Sequence, residues 1–136
     1  MLTQISEALN VRLSAVAGSV PVFCGYAENQ ALPYVQFSEP SLTPEFENTG
    51  TTRAGRVDTC AMQIDTFYNS YASASAMLEK IELSLLSKEL DVESASVSGT
   101  YTISSETTEE EANENTGERI YHGVLHVEFR LLYLED

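Results

Sequence analysis

The sequence predicts an α+β domain: a mostly antiparallel β-sheet of four to five strands, two α-helices packed on one face, and a long loop or β-hairpin arm. Three observations lead there. Apolar residues recur at spacings of three and four in two separate stretches, which is the helical period. Other stretches alternate apolar and polar residues, as half-buried strands do. The strands do not alternate regularly with helices, so a doubly wound parallel sheet is disfavoured. At 136 residues the chain makes one domain and buries roughly two-thirds of its unfolded surface.

The first helix covers residues 2–17, where Leu2, Ile5, Leu9, Leu13 and Val16 draw one stripe. Gly18 stands at the C-terminal cap position and Pro21 stops continuation. Two short β candidates follow, "PVFCGYA" (21–27) and "PYVQFSEP" (33–40), the second bounded by prolines that mark a sheet-edge or strand-end position. Residues 41–56, "SLTPEFENTGTTRAGR", lose periodicity and read as the arm. In the next stretch Cys60, Met62, Ile64 and Thr66 alternate with Ala61, Gln63, Asp65 and Phe67. After Asn69 and Ser70, both good N-cap residues, the period becomes helical. Ala74, Met77, Leu78, Ile81 and Leu85 form its stripe, widened by Leu83, Leu86 and Leu90.

The strand at 97–106 is expected to place Val97, Tyr101 and Ile103 on one side. The last strand, from Arg119, puts Tyr121, Leu125, Val127, Phe129, Leu131 and Tyr133 on one face. His122, His126, Glu128 and Arg130 take the other. Between these strands, 106–118 holds six Glu and no basic residue, which predicts a flexible, self-repelling hairpin tip.

Seven Lys and Arg against 21 Asp and Glu give a net charge of −14, which disfavours a general nucleic-acid-binding surface. No apolar run reaches the roughly 20 residues of a membrane span, and the N-terminal stretch lacks the pattern of a secretory leader. Folding in a cytoplasm is the expectation. Cys24 and Cys60 lack CxxC spacing and read as two buried thiols in a reducing compartment, with a disulfide or metal role as the alternative.

His122 and His126 form an HxxxH pair, but on a strand they lie about 13 Å apart, too far to share one zinc ion. They read as solvent-facing or interface histidines. Glu109, Glu110 and Glu111 could attract a cation, yet the surrounding sequence lacks the alternating oxygen ligands and turning Gly of a calcium loop. No GxSxG elbow, Cys–His signature or phosphate loop occurs, and Asp58 and Asp65 fall on opposite sides of their strand. No catalytic residue, cofactor or metal ligand is therefore assigned. Arg53 and Arg56, concentrated on the arm with Phe46, are either solvated charges or the contacts by which the arm docks on another subunit.

In order and spacing, four pieces resemble the small tail-terminator, or tail-completion, proteins of long-tailed bacteriophages. These are the opening helix "LTQISEALNVRLSAV", the "ALPYVQFSE" strand, the unit "MQIDTFYNSYASASAMLEKIELSLL" and the closing strand "RIYHGVLHVEFRLLYL". The resemblance implies a virion protein of the tail and neck, assembled in the host cytoplasm. It would form a six-membered homo-oligomeric ring that caps the tail tube, stops its polymerisation and meets a head-completion or connector protein. DNA would pass through without specific binding, and an acidic lining would avoid trapping its phosphates. No cofactor, catalytic residue or membrane contact is implied. Glu109, Glu110 and Glu111 would then lie near the channel or in solvent. Two other readings stay open: another neck or tail-tube component, and a small acidic cytosolic binding domain that is not an enzyme.

Overall fold

A computed structural model describes residues 1–27, 30–45, 55–110 and 117–134. Among these residues, two helices, α1 (Leu2–Ala17) and α2 (Tyr71–Ser87), accompany six strands. The strands are β1 (Val22–Cys24), β2 (Tyr34–Phe37), β3 (Ser41–Pro44), β4 (Val57–Tyr68), β5 (Ala95–Glu110) and β6 (Ile120–Tyr133). The sheet order is β1-β2-β4-β6-β5, with β3 also paired to β4. All pairings are antiparallel except β1 with β2. The α+β architecture is the one expected from the sequence.

The sixth strand has a simple origin. Phe37 pairs with Ile64 and Ser41 with Ala61, so β2 and β3 occupy one edge of β4 in succession. Between them Ser38, Glu39 and Pro40 oppose only Met62 and Gln63, an extra residue of the kind that makes a β-bulge. The Ser38 backbone N–H donates to the Gln63 carbonyl at 2.9 Å, and the Gln63 N–H to Ser38 Oγ at 3.3 Å. β2 and β3 are thus one bent strand. Pro40 sits at the bend and does not end the strand, and the first four residues assigned to the arm belong to the sheet.

One face of the sheet carries the core. From β4 it takes Cys60, Met62, Ile64 and Thr66; from β6, Leu125, Val127, Phe129, Leu131 and Tyr133. Ile5, Leu9 and Leu13 of α1 and Leu78, Ile81 and Leu85 of α2 join the same cluster. Because the side-chain period of a strand is two, the twelve-residue β4–β6 ladder fixes which residues face inward. Leu83 and Leu86 of α2 stay exposed, and Leu90 is buried beyond the helix end. No helix among the described residues is long and apolar enough to cross a membrane.

The helix α2 lies close to the sheet at Gly123. A Cβ there would collide with Thr66 Oγ1 and come within 3.3 Å of Leu78 Cδ2. Thr66 Oγ1 itself donates to the Ala74 carbonyl at 3.1 Å in buried surroundings, so glycine permits the approach and threonine fastens it. Ser70 caps the helix N-terminus, its side chain accepting from the Ser73 N–H.

The C-terminus of α2 lacks a glycine cap: Lys88 is extended. Arg12 of α1 supplies the missing partners, donating from Nη1 to the Ser84 and Lys88 carbonyls at 2.8 and 2.7 Å. Its Nη2 donates to that of Glu89 at 2.9 Å. A guanidinium suits this end of a helix, where unpaired carbonyls carry partial negative charge. The same contact locks α1 to α2.

The expected side assignment of β5 needs correction. Register shifts occur between Ser98 and Tyr101 and between Thr102 and Ser104. Gly99, at φ +63°, supplies the left-handed residue at the first shift. The inserted residues leave Val97 buried on the core side, while Tyr101 and Ile103 stand exposed.

Candidate assembly surface

The face of the sheet turned away from the helices, and the arm that leaves it, hold the side chains not used by the core. The arm root is hydrogen-bonded on both legs. The Glu45 N–H donates to the Val57 carbonyl at 3.1 Å, and the Gly55 N–H to that of Tyr133 at 2.9 Å. Arg130 Nε pairs with Glu45 Oε1 at 2.8 Å, and Arg56 Nε with Asp58 Oδ1 at 2.9 Å. Asp58 is buried and accepts a further bond from the Tyr133 hydroxyl at 2.7 Å. Arg56 also lies over the Tyr133 ring, 5.8 Å from its centroid.

Of the three residues singled out on the arm, Arg56 therefore anchors the root through its own chain, and its guanidinium is not displayed as a free charge. Phe46 and Arg53 lie outside the described residues, as does Glu111. Their signals were local composition, whereas the Arg56 anchorage depends on a tyrosine 77 positions away in sequence.

The acidic segment also differs from expectation at its start. Residues 106–110 extend β5 in register with β6, and Glu110 pairs opposite Ile120. Glu109 binds Arg119 at 2.9 Å and Glu110 binds His122 Nδ1 at 2.7 Å. The imidazole reaches a second carboxylate, with Nε2 2.7 Å from Asp65 Oδ1. Asp65 is nearly fully buried and also accepts from Gln63 Nε2 at 2.9 Å. Across the sheet, His122 stacks on Phe67 with centroids 4.2 Å apart, and Phe67 on Tyr34 at 4.7 Å. Burial, the largest influence on the imidazole, lowers its pKa. The bonds to Asp65 and Glu110 and their charges raise it, and the net direction is upward from the ordinary 6.5.

His122 and His126 do lie on one face of β6, as alternation required, but among the described residues only His122 has acidic partners within hydrogen-bond distance. His126 lines a shallow depression of about 190 Å³ with Gln63, Ser38 and Ile103, above the β2–β3 bend. Sequence reading missed the His122 cluster because its partners are 12 and 57 positions away. It also missed Arg12, whose partners are 72 to 77 positions distant.

The cysteines separate in environment. Cys60 is buried in the core, its thiol pushed up to about 12 by burial and then by the neighbouring Asp58. Cys24 is exposed on β1, contrary to the expectation that both are buried. Neither forms a disulfide.

These features define a two-layer α+β domain with a hydrogen-bonded arm root and a sheet face on which no described helix packs. No protein-family model matches the sequence, and no curated protein matches it. The fold is similar to that of a solved chain from the virion of a native gene transfer agent particle. The likeness has a TM-score of 0.64 and 13% sequence identity, over 96% of this chain and 93% of the other. At that identity the similarity is one of fold.

Proposed function

We propose that this protein is a structural subunit of a phage-like virion and acts as a tail terminator. In this reading it forms a six-membered ring that caps the tail tube, stops its polymerisation and joins the tail to the head-side connector while DNA passes through. The observation that carries the reading is the end-to-end fold similarity to a chain of a gene transfer agent virion. The ordered sequence resemblance to tail-terminator proteins supports the narrower role. The role needs no catalytic residue or cofactor.

A closed ring uses two different surfaces on each subunit. The arm supplies one: Phe46 and Arg53 reach the neighbour or the tube, and Arg56 holds the root from which they project. Glu109, Glu110 and Glu111 stand near the channel or in solvent, where negative charge leaves DNA free to move.

Light scattering on the purified protein tests this directly. A ring of six 15.0 kDa chains has a mass of about 90 kDa, and negative-stain images should show a central hole. Open-ended stacks would instead favour a tail-tube subunit. A monomer that fails to close even when mixed with tail tubes would overturn the terminator reading in favour of an acidic binding domain.

A further inference from the structure

We propose that Asp65, His122 and Glu110 form a proton-operated latch that fastens the far end of β5 to the centre of the sheet. The geometry carries the inference. An ionised carboxylate only accepts hydrogen bonds, and His122 places a different carboxylate oxygen 2.7 Å from each ring nitrogen. Both nitrogens donate at once only when the ring is protonated. The latch is closed in the imidazolium form and must drop one partner in the neutral form.

Which partner lets go follows from burial. Asp65, from central strand β4, is buried and further held by Gln63, while the Glu110 side chain is 44% exposed. A neutral His122 keeps one nitrogen donating to Asp65 and turns the lone pair of the other toward Glu110. Glu110 is then repelled and can reach water. Among the described residues, the other groups facing the ring do not compensate. Thr108 of β5 lies directly opposite, and Phe67 of β4 covers one ring face. Beyond it, Tyr34 of β2 has its phenol pushed up by burial and then by Tyr26, Glu110 and Asp65, so it stays neutral. Arg119, the nearby cation, is engaged by Glu109.

Opening has a definite consequence. Glu110 is the last residue of β5 and lies within the stretch 106–118, which holds six Glu and no basic residue. With the latch closed, the imidazolium adds to the Arg119–Glu109 pair in holding this end; with it open, that charge is gone and like charges crowd the end of an edge strand. The latch sets how far the β5–β6 hairpin stays zipped, whichever assembly the protein enters.

The test is an NMR titration of both histidine rings with amide exchange of Glu106–Glu110, on the full chain. His122 should titrate above the ordinary 6.5. Protection of Glu106–Glu110, corrected for the intrinsic rate, should fall about tenfold as pH rises through the His122 transition. Glu110→Gln, at an exposed position, should move the His122 transition to lower pH and flatten the protection curve, and His122→Gln should abolish its pH dependence. A His122 transition at or below 6.5 would overturn the latch. So would a protection curve unchanged by Glu110→Gln.

Discussion

Asp58 and Asp65 sit seven positions apart on β4, both buried, on opposite faces of the sheet. Asp58 is held by Arg56 and Tyr133, and Asp65 by His122 and Gln63. The cation of the first set, the Arg56 guanidinium, keeps its charge at every pH a protein meets. The second set contains the one side chain whose ordinary titration falls near neutrality. One strand therefore carries a permanent clasp at the arm root and a conditional one at the acidic hairpin end.

The largest test removes the permanent clasp. Among the described residues, Arg56→Gln leaves the buried Asp58 carboxylate with the tyrosine hydroxyl alone, and urea unfolding should record a loss of about 3 kcal/mol. The loss should be the same at pH 6 and pH 9; a strong pH dependence would dissolve the contrast. His122→Gln should cost about 1–2 kcal/mol at low pH, with the Glu110 arm contributing less because it is exposed. The sign follows from linkage. The folded state raises the His122 pKa, so this stability is fully present below 6.5 and is lost as pH rises through the folded value. The expected pattern is a urea-midpoint gap between His122→Gln and the unmodified protein that is wider at pH 6 than at pH 9, where the neutral ring still holds Asp65 and Phe67. The smallest effect belongs to Arg130→Ala. Its pair with Glu45 is drawn from an arginine side chain 66% exposed, and the change should cost no more than about 0.5 kcal/mol.

The contrast also explains what the sequence discloses. The periodicities of β4 and β6 were legible because each keeps its register along the full ladder, so alternation maps directly onto burial. α2 was legible from Ser70 and the Ala74–Leu85 stripe. β5 was misread because two bulges reset its alternation, and the only local sign was Gly99 in an otherwise regular strand. The arm was traced too early, since Ser41–Pro44 has the composition of a loop and becomes a strand only by pairing with Ala61–Asp58. The two clasps were invisible for another reason. Arg56 and Asp58 are close in sequence, but burial of the pair depends on Tyr133, and His122 gains its meaning from Asp65. Long-range polar contacts leave no period to detect.

The double fastening of the arm root makes it a natural socket. Glu45 and Gly55 are each hydrogen-bonded to the sheet, so the chain leaves and re-enters the domain at fixed points whatever lies between them. Lengthening such an excursion costs only about 0.6 kcal/mol for each doubling. Extra residues inserted between these two points are therefore expected to leave the domain folded, so the excursion can grow in length without a change in the architecture that holds its ends.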